Sequence, residues 1–185
     1  ANMEYFAEQN VDVVITCHVD ERSGTSVIKP LTRKGIPIIS LEIPILFTKF
    51  ISIDNQLAAR LLGTAIGEWI QQYWDGQVDK VLMMDDYRLT GVIRERFNVT
   101  ISSLLEKLGK TDDIVMRVHS GNIRSTAYEN AYPILERWAS EEGKIAIIGG
   151  NDETGMGAYD AALELGIQDR IVACGHGATV SLEEF

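Results

Sequence analysis

The stretch IAIIGGNDETGMGAYDAALELG, residues 145–166, decides the fold of this chain. It opens with a short apolar run, typical of a buried strand, and continues into a run with helical spacing of its apolar residues. Two glycines, then Asn151 and Asp152, stand between the two runs. Polar residues at such a junction have three candidate roles: a phosphate-binding loop, a catalytic carboxylate, or a polar contact for a neutral ligand.

A phosphate-binding loop fits this junction poorly. The GxxxxGK[ST] pattern lacks its lysine, and the GxGxxG pattern meets Asp160 where the third glycine should stand. Gly155 and Gly157 are better explained as places where the helix packs closely against the sheet. We expect Asp152 to cap the helix that follows. Asn151 would then face outward, where its amide can both donate and accept hydrogen bonds with a hydroxyl-rich ligand.

Apolar runs and helical runs alternate outward from this stretch. Strands are predicted at 11–17, 36–42, 49–54, 79–85, 113–119, 144–150 and 170–175, and helices at 24–35, 55–74, 90–109, 123–143 and 153–166. This alternation predicts an α/β fold with parallel sheets covered on both faces. Residues 1–10 have the pattern of the rear of a helix, and residues 181–185 that of the start of another. We therefore expect a chain cut from a longer protein at both ends.

The connection over 43–55 is irregular, because it joins a strand to a helix through a second short strand. A crossing between two α/β lobes would have this form. The sequence therefore predicts that residues 1–51 are part of an N-terminal lobe whose first strand is absent. Residues 52–185 are predicted to form the C-terminal lobe.

Charge and composition exclude some classes of function. The formal net charge of −10 disfavours contact with phosphate backbones, so we expect no nucleic-acid binding by this segment. No apolar run approaches the roughly 20 residues of a membrane span. Cys17 and Cys174 are expected to be buried at strand ends. A disulfide or a metal site is the alternative for this pair.

Catalytic motifs are weak. GxSxG and HExxH are absent from the sequence. Asp85 and Asp86 follow a predicted strand and could hold Mg²⁺ or begin a phosphotransfer site, but a solvated loop with a helix cap explains them more simply. Cys17, His18, Cys174 and His176 match no known zinc spacing. We therefore predict no catalytic residue, metal or cofactor.

Arg96 is the sharpest single candidate for ligand contact. It lies in the first half of the helix predicted at 90–109. One interpretation is that Arg94 and Arg96 are both exposed. The other is that Arg96 reaches the strand tips and offers its planar fork to vicinal hydroxyls or a carboxylate.

Five segments, taken in order, resemble one known superfamily. They are VDVVITCHVD (11–20), GIPIISLEI (35–43), KFISIDNQLAARLLG (49–63), RERFN (94–98) and NDETGMGAYDAALELG (151–166). They are similar to the type 1 periplasmic sugar-binding proteins and to the effector domains of lac-repressor-type regulators. Asp20 and Pro37 keep the seventeen-residue separation of those families. Each motif alone is common, but the ordered set along essentially the whole chain is specific.

The resemblance implies two Rossmann-like lobes with parallel sheets, joined by three crossovers of which this chain keeps one. It also implies a ligand held in the cleft between lobes that close like a hinge. The family's cleft positions fall on Cys17, Glu42, Arg96, Asn151 and His176. We expect Arg96 and Asn151 to carry recognition together in the larger lobe, since both keep the family's residue type.

Other cleft positions depart from the family pattern. Glu42 replaces a usual Asp, and Cys17 stands where Asn is common. His176 stands where Asp is usual, and Gly175 where an aromatic residue is common. A polyol, a nucleoside and a signalling furanose are all compatible with this set.

The resemblance favours non-catalytic binding of a sugar, as the solute-binding component of an ABC importer. Its partners would then be the ligand and the transporter's membrane subunits. Its location would be periplasmic, or extracellular and membrane-associated in a Gram-positive type of cell. The alternative is the effector-binding domain of a cytoplasmic regulator. An enzyme using Asp85 and Asp86 is a third hypothesis.

Overall fold

The computed structural model describes residues 2–18, 21–89 and 91–178. The chain divides into two compact units: residues 1–58 with 89–96, and residues 59–88 with 97–185. The predicted lobe boundary at 51/52 stays a prediction. Asp20 and the helix expected over 181–185 lie outside the described residues.

The first unit contains a parallel sheet of three strands in the order β1-β2-β3. Its elements are α1 (Asn2–Glu8), β1 (Val14–Cys17), α2 (Glu21–Val27), α3 (Lys29–Arg33), β2 (Ile38–Leu41) and β3 (Lys49–Ile51). The single helix predicted over 24–35 is therefore wrong. Pro30 lacks a backbone N–H and stands in the first turn of α3, the one place where a helix tolerates proline.

The core of the first unit covers one face of its sheet. It consists of Ala7, Val14, Ile28, Leu31, Ile38 and Ile45. Successive strand residues point to opposite faces, so Ile15 and Cys17 share the face opposite to Val14. Both are exposed. The expectation of a buried Cys17 is wrong for this reason.

The second unit contains a parallel sheet of four strands in the order β5-β4-β6-β7. Its strands are β4 (Lys80–Asp85), β5 (Val115–His119), β6 (Ile145–Gly149) and β7 (Ile171–Cys174), and its helices include α6 (Arg124–Ala139) and α7 (Asp152–Glu164). Helices α4 (Asn55–Trp74) and α5 (Gly91–Leu108) begin in the first unit and end in the second. These elements agree with the predicted ones in type and order.

Glycines allow close packing in the second unit. A Cβ at Gly155 would lie 2.6 Å from the Cys174 carbonyl oxygen, and one at Gly157 would lie 2.1 Å from the Arg124 carbonyl oxygen. Close packing of the helix against the sheet is thus confirmed at Gly155. At Gly157 it is wrong, because the close neighbours belong to helix α6. Within the three described ranges, no helix combines the length and apolarity needed to cross a membrane.

Candidate ligand-binding site

Asn151 is the N-cap of helix α7. Its extended backbone (φ −144°, ψ 175°) brings Oδ1 over the first turn, where it accepts a hydrogen bond from the Thr154 N–H at 2.9 Å. The Asn151 N–H donates in return to Thr154 Oγ1 at 3.3 Å, which completes a capping box. Asp152 is already helical and buried. The expectation that Asp152 caps the helix, leaving Asn151 free of that role, is therefore wrong. The capping bond uses the amide oxygen and leaves the NH₂ group as the donor end of the side chain.

His176 lies beside this helix start. The Asp152 N–H donates to the His176 carbonyl oxygen at 3.1 Å. This bond brings together Asn151 and His176, which follow the neighbouring strands β6 and β7. The His176 ring is held separately, because its Nε2 lies 3.1 Å from Oγ1 of the buried Thr100.

Gly175 allows the end of β7 to approach the start of α7. A Cβ at this position would lie 2.6 Å from the Asp152 Cα and 2.7 Å from the Asn151 carbonyl oxygen. Both atoms belong to the backbone, so a side chain here would require the chain to shift. An aromatic residue, common at this place in the family that the sequence resembles, has no room.

Two further contacts fix helix α5 against this edge of the second unit. A Cβ at Gly150, just before Asn151, would lie 2.4 Å from Cζ of the buried Phe97. A Cβ at Gly63 of α4 would lie 2.3 Å from the Thr100 carbonyl oxygen. The Phe97 ring thus packs against the bare backbone at Gly150, and the Thr100 backbone against that at Gly63.

Glu42 occupies a strained turn at the end of β2. Its φ is +64°, in the left-handed region, and the Ile43 N–H donates to the Leu41 carbonyl oxygen at 2.7 Å. A hydrogen bond that spans one residue of positive φ defines a γ-turn, which is rare and strained. Such strain persists mainly where a function or the surrounding structure requires it. Glu42 is half-buried.

Arg96 interacts electrostatically with Glu42. Burial lowers the pKa of the Arg96 guanidinium, and the Glu42 carboxylate opposes that shift. Arg94 and Arg96 are both half-buried, so the interpretation of two exposed arginines is wrong. Contact clustering groups Arg96 with the first unit and Asn151 with the second, because α5 begins in one unit and ends in the other. The expectation that Arg96 and Asn151 carry recognition together in the larger lobe stays a prediction.

Cys17 and its neighbour His18 line a cavity of about 590 Å³ in the first unit, together with residues from the start of α1. His18 Nδ1 lies 3.4 Å from Ser23 Oγ. Cys17 and Cys174 are both free thiols, which removes the disulfide alternative. Burial raises the pKa of the Cys174 thiol well above its usual range. A raised pKa disfavours the thiolate form of Cys174.

Asp85 and Asp86 are buried, so the expectation of a solvated loop is wrong. Arg88 Nε donates to Asp86 Oδ1 at 2.9 Å, and Arg117 Nη1 lies 3.3 Å from Asp85 Oδ2. The Arg88 hydrogen bonds hold the pKa of the Asp86 carboxyl below its usual range, against the opposing effect of burial. Across the part of the chain that the structure describes, no group of three or more His, Cys, Asp or Glu residues is arranged to hold a metal ion. Asp86 thus pairs with Arg88, and Asp85 with Arg117.

Residues 1–183 match the family described as periplasmic binding protein domain, and the chain therefore belongs to that family. The solved structures to which it is similar include two binding proteins and one transcriptional regulator. One is an ABC transporter periplasmic solute-binding protein from Actinobacillus succinogenes 130z with bound D-allose (17% identity, 92% of this chain and 59% of that chain, TM-score 0.72). Another is the Caulobacter myo-inositol binding protein bound to myo-inositol (20% identity, 92% and 57%, TM-score 0.70). The third is a LacI family transcriptional regulator from Enterococcus faecium with bound ribose (17% identity, 89% and 57%, TM-score 0.68).

The likenesses confirm the predicted fold class, and the family match confirms the predicted superfamily. The chain spans 57–59% of the length of these three proteins. Comparison with curated protein sequences gives no significant match. Sequence reasoning missed Thr100 as a partner of His176 and Thr154 as a partner of Asn151. The second could have been found from the spacing, because residues 151 and 154 stand at the two positions of a capping box.

Proposed function

We propose that this chain binds a small polar ligand, a sugar, as the solute-binding component of an ABC importer, and that it releases the ligand unchanged. The observation that carries the proposal is the pairing of Asn151 and His176 at the tips of β6 and β7, through the Asp152-to-His176 backbone hydrogen bond of 3.1 Å. In parallel sheets, ligands bind beyond the carboxyl ends of the strands. An amide and an imidazole together supply donors and acceptors to neutral hydroxyls.

The first unit supports the same proposal. Glu42 follows the carboxyl end of β2 in a strained turn and interacts with Arg96. A carboxylate and a guanidinium at strand ends suit the hydroxyls of a sugar, since charged groups form the stronger hydrogen bonds. Cys17 ends β1 of the same sheet. The resemblance to the family is what implies a cleft between two lobes as the place of these five residues.

Calorimetric titration of the intact protein tests the proposal. The panel should contain D-allose, D-ribose, myo-inositol and several nucleosides. We expect one sugar or polyol to bind, and Arg96→Ala to weaken its binding by about 1.5–3 kcal/mol, roughly tenfold to 150-fold. The ligand should be recovered unchanged after long incubation, as judged by its NMR spectrum. Absence of binding across the panel, or conversion of the ligand, would contradict the proposal.

The effector-binding domain of a lac-repressor-type regulator is the second candidate. It is favoured by one observation, the TM-score of 0.68 against the LacI family regulator, close to the 0.72 against the solute-binding protein. The residues that precede this chain in the intact protein distinguish the two. A leader peptide would establish the importer and a location outside the cytoplasm, whereas a helix-turn-helix would establish the regulator.

A further inference from the structure

A polar cavity lies between helices α4 and α5 within the second unit. Its volume is about 470 Å³, and each helix contributes three lining residues: Arg60, Thr64, Gln71, Ser103, Glu106 and Lys107. Cavities of this size are typical of small-molecule sites. The six residues are all different from those of the candidate ligand-binding site, so the cavity is a separate feature of this unit.

Glycines of α4 bring α5 close to it beside the cavity. A Cβ at Gly63 would lie 2.9 Å from the Ser103 Cβ, and one at Gly67 would lie 2.6 Å from the Lys107 Cγ. Gln71 Nε2 also donates to the Lys107 carbonyl oxygen at 2.9 Å. Ser103 and Lys107 are therefore held in place against α4, and the wall that they form is part of the packed structure.

Ser103 is the buried polar residue of the cavity. Only 9% of its surface is exposed, and its hydroxyl forms no hydrogen bond with any residue that the structure describes. Hydroxyl groups buried to this extent normally have a partner. Because Ser103 lines the cavity, a ligand oxygen bound there would supply that partner.

Arg60 brings a positive charge to the cavity. It forms no ion pair within the described ranges of the chain, whereas Lys107 Nζ lies 3.1 Å from Glu68 Oε1. Thr64 stands one turn after Arg60 on the same face of α4 and adds a second hydroxyl. Glu106 opposes an anion here, but it is exposed, so water and salt screen its charge. The balance of donors over acceptors favours a ligand rich in acceptor oxygens.

We propose that this cavity binds the phosphate group of a small phosphate monoester. The planar fork of Arg60 pairs with two phosphate oxygens, and the hydroxyls of Ser103 and Thr64 donate to the phosphate oxygens as well. A site of this volume also has room for an organic part of the ligand. This binding is separate from the proposed sugar binding and does not depend on it.

NMR titration of the intact protein tests the proposal, with the amide signals of residues 60–71 and 103–107 as the readout. The probes are glycerol 3-phosphate, inorganic phosphate and glycerol, and sodium chloride of equal ionic strength is the control for screening. We expect glycerol 3-phosphate to shift these signals and to bind more tightly than inorganic phosphate. Glycerol should leave these signals unchanged, whatever it does at the strand tips.

Four variants assign the contacts. Arg60→Gln should weaken binding of glycerol 3-phosphate at least about tenfold, and Ser103→Ala about two- to tenfold. Glu106→Gln should strengthen it by up to about fivefold, because a repulsive charge is removed. Arg33→Gln is the matched control: this exposed arginine ends α3 in the first unit, and its removal should leave the affinity unchanged.

The outcomes against the proposal are distinct from those against sugar binding. Unshifted signals with both phosphate compounds at millimolar concentration, or equal shifts with glycerol, would overturn the phosphate site. Tighter binding of inorganic phosphate would overturn the choice of a monoester. Parent-like affinity of Arg60→Gln, or an equal loss in Arg33→Gln, would show that only the overall charge matters. Arg60, Glu106 and Arg33 are all exposed, so these variants should fold even if Ser103→Ala does not.

Discussion

Asn151 combines helix capping with the proposed ligand contact, and two substitutions separate these roles. Asn151→Ala removes both the oxygen that accepts from Thr154 N–H at 2.9 Å and the NH₂ donors. Asn151→Ser keeps a cap oxygen and lacks the NH₂ group. Since Asn and Ser cap helices about equally well and Ala costs about 1 kcal/mol, the free energy of unfolding should fall by about 1 kcal/mol in Asn151→Ala and by less than about 0.5 kcal/mol in Asn151→Ser. For a chain of this size, that loss lowers Tm by about 2–4 °C.

Sugar affinity, unlike stability, should fall in both variants. Both variants lose the amide donors, so both should bind the sugar about 1.5–3 kcal/mol more weakly, roughly tenfold to 150-fold. Urea unfolding measures the stability and calorimetric titration the affinity. Thr154→Val is the matched control, because Thr154 Oγ1 takes part in the capping box at 3.3 Å and the side chain is fully buried. It should lose stability and bind as the parent does. Parent-like binding by Asn151→Ser would reduce Asn151 to a helix cap, and parent-like stability of Asn151→Ala would refute the capping argument.

Three further substitutions test other parts of the structure. Glu42 has a φ of +64°, so the free energy of unfolding should be about 1 kcal/mol higher for Glu42→Gly than for Glu42→Ala. Both variants should lose sugar affinity. A Glu42→Gly variant that is less stable than Glu42→Ala in urea titrations would contradict this. Gly175→Ala places a Cβ 2.6 Å from the Asp152 Cα and should cost about 1–3 kcal/mol of stability by overpacking, whereas unchanged thermal unfolding would show that the backbone yields easily. Arg88 holds the pKa of Asp86 below its ordinary value of 3.8. The stabilising effect of the Asp86 carboxylate is therefore present above about pH 4 and is lost as pH falls through the lower folded-state pKa. Parent and Asp86→Asn should differ in stability at pH 7 and converge in strong acid, and a constant difference from pH 7 to pH 2 would disprove the assignment.

The fold could be predicted because the local patterns agree with the final structure over long segments. Helix α4 matches its predicted range of 55–74. Its apolar residues recur at helical spacing and no proline interrupts them, so the pattern fits only a helix. The seven predicted strands all occur, with ends shifted by a few residues. Strand ends are less predictable because hydrogen-bonding partners, rather than residue types, decide where a strand stops.

The site was harder to predict because single backbone angles and alternation within strands decide it. Asn and Asp cap helices about equally well, so residue preference could not choose between Asn151 and Asp152. In the structure Asn151 has the extended backbone of an N-cap residue, whereas Asp152 is already helical. Cys17 was expected to be buried because its strand is apolar, but its place in the alternation puts it on the exposed face. The positive φ of Glu42 has no sequence signal, since glycine is the residue that usually marks such a position.

Gly175 and His176 depart from the family pattern together, and the structure shows why the two departures belong to one arrangement. Without a side chain at 175, the end of β7 lies close enough to α7 for the Asp152 N–H to reach the His176 carbonyl oxygen at 3.1 Å. That bond uses one of the N–H groups at a helix start that lack a partner within the helix, and it fixes the backbone from which the imidazole reaches Thr100. An aromatic residue at 175 would push the chain away and break both contacts. The ring at 176 therefore depends on the bare backbone at 175, and restoring the family residue at one position alone should disturb the other.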